Sequence, residues 1–302
     1  MKWQEIIDEF LTDIEIRGYS KVTLKNYKFK LDNIRTYFLS NNIEHIDNIK
    51  KQDVKKWVSY LQKSGKQAST INVYVNMLNQ IFEYMCDEEY VQHNPTKRIV
   101  KLKQQHKIIY PLNDDEIKQL LQQAKLNKHK HIAQRNVVIF TMLLECGLRI
   151  QEIENLKPDD ILENQIVIRN SKYNKDRAVA ITPLLRKEMT KYDRIKKAKY
   201  KYSEFEYYFV SYRLKQLEGR AIWHIMRTIQ KQVNIREVVR FSAHTLRHTY
   251  AYMQVRNGMD IYTLSLNMGH SQVSSTQKYL QTLKSDDFVE KSIKYSTLKN
   301  LR

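Results

Sequence analysis

Three short segments set cations or imidazoles beside a turn or on one helix face: Gly147-Leu148-Arg149, His244-Thr245-Leu246-Arg247 and Met268-Gly269-His270. His244 and Arg247 stand at i, i+3, so both leave the same side of a helix, where an imidazole and a guanidinium fork can grip one phosphate. Taken singly, each segment is better read as an ordinary surface turn. His248 adds an i, i+4 partner to His244, the spacing of two metal ligands on a helix. No glutamate of the zinc-hydrolase pattern lies between them, however, and Arg247 projects from that face with a fixed charge that repels a divalent cation. A metal site is therefore not expected, and His248 reads as a packing residue. His129 and His131 lie among Lys128 and Lys130 without a carboxylate cluster, and read as solvent-exposed.

The whole chain favours a polyanionic partner. Its 302 residues hold 52 Lys+Arg against 33 Asp+Glu, a formal charge of +19 with a pI near 9.6, the balance of a nucleic-acid-binding protein. An anionic membrane fits less well, because no apolar run approaches the roughly 20 residues that a spanning helix needs. The opening MKWQEIIDEF carries acids and no signal-peptide pattern, so a soluble, cytoplasmic protein is expected. Cys86 and Cys146 both fall inside apolar helical patterns, which predicts buried thiols and no disulfide framework.

The length suits two domains. The first hundred residues read as four amphipathic helices, opening with Trp3, Ile6, Ile7, Phe10, Leu11 and Ile14 on one stripe and ending at Gly18. Ser20 is expected to cap the second helix, through Leu24, Tyr27, Leu31, Ile34 and Phe38; the third, around Val54, Trp57, Val58 and Leu61, stops at Gly65. Ser69 is expected to cap the fourth, which runs through Ile71, Tyr74, Leu78, Ile81, Phe82 and Met85 until Asn94-Pro95. Residues 1–95 thus form a helical domain. Residues 96–111 follow as a basic linker in which Lys97, Arg98, Lys101 and Lys103 are candidate contacts to a phosphate backbone.

From residue 112 to 302 a second domain is expected, mostly helical with a small β-sheet, giving an α+β, mainly α chain. Asn113 and Glu116 are spaced as a capping box, leading into Ile117, Leu120 and Leu121. A helix from Val137 to Glu145 reaches a break at Gly147. Gln165 to Arg169 and Arg177 to Ile181 predict a β-hairpin around the polar turn from Ser171 to Asp176, and Tyr207 to Val210 a further short strand.

Order and spacing then carry a resemblance. Arg149, the hairpin Lys172, His244 with Arg247, His270 and Tyr279 follow one another as the active-site residues of tyrosine recombinases do, and the chain resembles that phage-integrase family closely. CGLRIQEIENL resembles the family's first arginine box, AHTLRHTYA its His-x-x-Arg box, and MGHSQVSSTQKYL its closing box, whose histidine lies nine residues before the nucleophilic tyrosine. The resemblance spans essentially the whole chain, including a core-binding, SAM-like helical domain ending at Asn94-Pro95. With no arm-binding segment ahead of Trp3, the two-domain Xer-like recombinases are the expected kind. The hairpin turn SKYNKDR lacks the glycines that often flank the family lysine. Lys172 is chosen over Lys175 by the Lys-Asp-Arg ending.

The resemblance implies site-specific DNA recombination through a 3′-phosphotyrosine at Tyr279, with no metal, cofactor or ATP. Arg149 and Arg247 would clamp the non-bridging oxygens, and His244 and His270 would add hydrogen bonds or charge; preorganised donors of this kind supply roughly 3 to 4 kcal/mol each. A tyrosine with an ordinary pKa of about 10 is a poor nucleophile at neutral pH unless cations favour the phenolate. Lys172 would protonate the departing 5′-oxygen. The partners implied are double-stranded DNA and three further copies of the chain on two sites, the tail from Leu283 to Arg302 docking on a neighbour; whether an accessory protein takes part is left open. A type IB topoisomerase shares the chemistry, and a DNA-binding regulator that has lost catalysis is the rival from another class. The complete set of six residues argues against the latter.

Overall fold

Four helices make the first unit because their apolar residues repeat at helical spacing. The computed structural model describes residues 1–104, 109–169, 176–201, 203–270 and 272–277, and the chain divides into Met1–His106 and Lys107–Arg302. In the first, α1 (Trp3–Ile16), α2 (Lys21–Ser40), α3 (Lys51–Lys63) and α4 (Ala68–Asp87) close around Trp3, Phe38 and Trp57. Phe38 lies 5.7 Å from Trp3 and 5.6 Å from Trp57 between ring centroids. The Ser20 hydroxyl accepts the Thr23 amide at 3.3 Å and caps α2. Left-handed Gly18 and Gly65 follow the ends of α1 and α3.

Two boundaries of α4 differ from expectation. Gln67, not Ser69, stands at its N-cap, with no side-chain cap bond; Ser69 lies inside the first turn. The helix also stops at Asp87, well before Asn94-Pro95, because Glu89 turns left-handed at φ 59°. Beyond it the chain is pinned back. The Thr96 hydroxyl donates to Asn79 Oδ1 at 2.9 Å, and the Asn72 side chain exchanges two hydrogen bonds with the backbone of Leu102, both 2.9 Å. Ile99 and Leu102 pack on the core of this unit, leaving Lys97, Arg98, Lys101 and Lys103 exposed.

The second unit is built on α6 (Lys130–Glu145), whose residues from Ala133 to Leu143 are almost all buried, the pattern of a central helix. Around it lie α5 (Asp114–Ala124), α7 (Ile150–Glu154), α8 (Pro183–Lys199), α9 (Gly219–Gln230), α10 (Ala243–Arg256), α11 (Ile261–Met268) and the short α12 (Ser274–Gln277). Strands β1 (Gln165–Ile168) and β2 (Arg177–Ala180) pair antiparallel, Gln165 opposite Ala180 and Ile168 opposite Arg177. The Asn113–Glu116 capping box forms with both bonds at 2.8 Å. Residues Tyr207 to Val210 form no strand: only a single bridge joins Val210 to Gln216.

Two further expectations are corrected. His131 is 2% exposed, stacked on Tyr192 at 5.5 Å and edge-on to Tyr200 at 5.1 Å, because α6 begins at Lys130 and turns this face onto α8. Cys146 is buried, but Cys86 is partly exposed near the end of α4. Among the described residues no helix is long and apolar enough to cross a membrane.

Candidate active site

The first arginine is placed by a glycine turn. Helix α6 ends with Cys146 as its cap, and Gly147 takes φ 58°, which bends the chain so that Arg149 becomes the N-cap of α7. Glu152 in the first turn of α7 closes back on it: the Arg149 amide donates to Glu152 Oε2 and Arg149 Nη1 to Oε1, both at 2.8 Å. Arg149 Nη2 reaches the Gly269 carbonyl at 3.2 Å. The arginine also forms part of the wall of an open cleft of about 680 Å3, lined further by Asn155, Lys157, Arg169 and Tyr207. Its side chain, 30% exposed, is thus reachable from solvent.

Arg247 is deeper. Helix α10 starts where the Ser242 hydroxyl accepts the Thr245 amide at 3.1 Å, and Arg247 is 4% exposed. Its Nη1 donates to the Gly147 carbonyl and its Nη2 to the Met268 carbonyl, so one guanidinium joins the turns on which Arg149 and His270 stand. Each terminal nitrogen carries a second proton. The bland alternative for this helix turn, a surface-facing one, does not hold for Arg247. His244 is exposed at the start of the same helix; partial desolvation and then the Arg247 and Arg149 charges hold its pKa below the ordinary histidine value. His248 is buried and bonds the Ile109 carbonyl, in keeping with a packing role.

Gly269 ends α11 in the left-handed conformation, φ 59°, and His270 follows. Arg247 Nη2 lies 3.2 Å from His270 Nε2, and His270 Nδ1 lies 2.8 Å from the hydroxyl of buried Thr276. A guanidinium only donates, so Nε2 accepts and the ring's proton belongs on Nδ1, directed at Thr276. Burial, then Arg247, Arg149 and Arg177, push its pKa down to about 4.

The structure thus brings Arg149, Arg247 and His270 together around the Met268–His270 turn, with His244 electrostatically coupled to both arginines. Lys172 and its rival Lys175, Tyr279 and the tail from Leu283 lie outside the described residues. Lys97, Arg98, Lys101 and Lys103 belong to the other unit. Sequence reading passed over two residues here, Glu152 and Arg177. Arg177 Nη1 and Nη2 meet the Glu152 carboxylate at 2.9 and 2.8 Å. The capping spacing from Arg149 to Glu152 was a usable signal; Arg177 closes the SKYNKDR turn, but nothing local marked Glu152 as its partner. Among the described residues, the guanidiniums of Arg149, Arg177 and Arg247 gather here around the carboxylate of Glu152, a cationic setting suited to an anion such as a phosphodiester. Among the described residues no three His, Cys, Asp or Glu side chains gather as metal ligands.

Residues 111–286 match the phage integrase family and residues 6–92 the phage integrase N-terminal SAM-like domain. Tyrosine recombinase XerD of Staphylococcus aureus is 28% identical over 289 residues, 93% of this chain and 95% of that protein. XerD of Staphylococcus epidermidis is also 28% identical, over 283 residues, with the same shares covered. Among solved structures, XerH site-specific recombinase bound to palindromic difH substrate aligns with a TM-score of 0.75 at 21% identity, over 92% of this chain and 81% of that one. A lambda integrase dimer bound to a COC′ core site aligns with a TM-score of 0.74 at 17% identity, over 92% and 77%. Because the family match extends over more than half of the chain and contains every residue of the Arg149–Arg247–His270 cluster, this protein belongs to the phage integrase family.

Proposed function

We propose that this chain is a site-specific DNA recombinase that cuts and rejoins strands through a 3′-phosphotyrosine at Tyr279. One observation carries the reading: the guanidiniums of Arg149 and Arg247 both donate to the Met268–His270 turn, nine residues before Tyr279. Such a pair can hold the two non-bridging oxygens of one phosphodiester and stabilise the charge that builds on them. His270 and His244 add hydrogen bonds, and a bound phosphate would raise the proton affinity of both rings.

In the cleavage step the Tyr279 oxygen bonds to phosphorus while the bond from phosphorus to the 5′-oxygen breaks. Lys172 gives a proton to that oxygen, with Lys175 the rival. The phosphotyrosine keeps the bond energy, so rejoining requires the reverse attack and no ATP. Duplex DNA is the partner. Exchange between two duplexes needs four cuts, so four copies assemble on two sites, their tails packing in trans, in the cytoplasm. Lys97, Arg98, Lys101 and Lys103 stand ready along a basic, core-pinned segment to follow a phosphate backbone.

The test is a nicked suicide duplex carrying the protein's recombination site, recovered by sequencing DNA trapped on the protein. The wild type should accumulate covalent adduct, and Tyr279→Phe should bind equally well but form none. Adduct in Tyr279→Phe moves the nucleophile elsewhere, Tyr295 first. No adduct with any duplex makes the chain a binding regulator, and relaxation of supercoils without exchange between two duplexes makes it a topoisomerase.

A further inference from the structure

Beside the proposed catalytic residues stands the arginine that closes the SKYNKDR turn, a residue given no role of its own so far. Arg177 opens β2 opposite Ile168 and is 9% exposed. All three of its nitrogens are engaged: Nη1 and Nη2 on the two oxygens of Glu152, and Nε on the Asn267 carbonyl at 2.9 Å. A fork that meets both carboxylate oxygens fixes a plane as well as a distance. The same carboxylate accepts the amide and Nη1 of Arg149, so it holds four donors and is full. On its other side Arg177 lies beneath Gly269, where a Cβ would stand 2.9 Å from Arg177 Nη1. Residue 269 must be glycine for this contact as well as for its left-handed backbone.

One guanidinium therefore holds the carboxylate that orients Arg149 and the turn that carries His270. Without it, Glu152 has only Arg149 to neutralise a buried charge, and the pair would draw that guanidinium inward, away from solvent. We propose that Arg177 is a positioning residue for strand cleavage, which fixes the Glu152 carboxylate from β2 and seats the Asn267–Gly269 turn so that Arg149 and His270 address the same phosphate. The proposal rests on the reading of Arg149 and His270 as phosphate-binding residues.

The groups gathered at this carboxylate are Arg149 beside it in the chain, Arg177 from β2 and, across the Met268–His270 turn, Arg247 and His270. Burial pushes the Glu152 carboxyl up, but the bonds from Arg177 and then Arg149 outweigh it and hold the group below its usual range. Arg177→Gln removes the larger of these supports and leaves burial to raise it.

Single-turnover cleavage of the suicide duplex is then followed from about pH 5.5 to 8.5, a span on the alkaline side of the ordinary carboxylate range. Arg177→Gln should bind DNA as the wild type does but cleave on the order of a hundredfold more slowly, the effect of a small misplacement. Its rate relative to wild type should recover toward acid, where protonated Glu152 no longer draws on Arg149. Arg177→Gln with Glu152→Gln should show a ratio flat in pH. A flat ratio in Arg177→Gln equal to that of the double variant, or wild-type cleavage, overturns the proposal. Should Arg177→Gln not fold, Arg177→Lys carries the test: one ammonium cannot hold both Glu152 oxygens and the Asn267 carbonyl, so slower cleavage at unchanged affinity is expected, and wild-type cleavage overturns it. Arg149→Ala runs alongside. If it forms adduct at the wild-type rate, the underlying reading of the site has failed; if it forms none while Arg177→Gln is unimpaired, only the Arg177 proposal has.

Discussion

The ring of Tyr250 lies against Gly147 so closely that a Cβ on residue 147 would stand 2.3 Å from Tyr250 Cδ1. The contact seats α10, and Arg247 on it, against the turn before Arg149, whose carbonyl Arg247 takes.

Gly147→Ala should therefore be doubly costly. A left-handed non-glycine residue costs roughly 1 to 2 kcal/mol, and overpacking adds about 1 to 3 kcal/mol. Gly258→Ala is the internal control, because Gly258 is also left-handed but a Cβ added there would meet nothing within 4 Å. Urea unfolding should show the larger loss for Gly147→Ala, and cleavage should fall only there. Equal losses would mean that Tyr250 moves aside freely.

Acid should weaken the fold before the carboxylates titrate. Burial pushes the pKa values of His131, His248 and His270 from 6.5 down to about 4. Between those values the unfolded chain binds more protons than the folded one, so stability is full above about pH 6.5 and is lost as pH falls toward about 4. Urea midpoints measured across that window should decline. His131→Phe, which keeps a ring between Tyr192 and Tyr200, should remove one proton's share of the slope; an unchanged slope would acquit His131.

The role of Lys172 is tested by changing the leaving group. An alkoxide's conjugate acid lies near the water value of about 15.7, whereas a thiol's is about 8.5, so a thiolate leaves without a proton. Lys172→Ala should cleave ordinary DNA very poorly yet recover much of its rate when the bridging 5′-oxygen is replaced by sulfur. Arg247→Ala should not recover, since the non-bridging oxygens are unchanged. Rescue of Lys175→Ala instead would transfer the role to that lysine.

Cleavage should persist in excess chelator, because the cations proposed to act on the phosphate are side chains. Activity lost to chelator and restored by Zn2+ or Mg2+ would sink the mechanism.

Affinity for DNA should drop steeply with salt, as expected of a chain with formal charge +19, in proportion to the phosphates neutralised. Charge-removing substitutions at Lys101 and Lys103 should flatten the slope by about one unit each. An unaltered slope would mean that this exposed segment faces away from DNA.

The sequence by itself determined the local structure and the candidate chemistry. Apolar spacing marked the helices of the first unit, Ser20 and the Asn113–Glu116 pair marked two caps, alternating residues marked the hairpin, and glycine turns marked Arg149 and His270. Each is a signal carried within a few residues, where backbone conformation and side-chain periodicity are set. Only the tertiary structure decided what meets what. It brought Arg247 to Gly147, 100 residues away, and to Met268, 21 away, and Arg177 to Glu152, 25 away. It buried His131 between rings of α8 and its end, ended α4 at a left-handed Glu89, and tied Leu102 back to Asn72. Those outcomes depend on where packed helices place distant backbone carbonyls and aromatic faces. A charged side chain taken out of water settles on whichever of these satisfies its donors, and no local spacing encodes that choice.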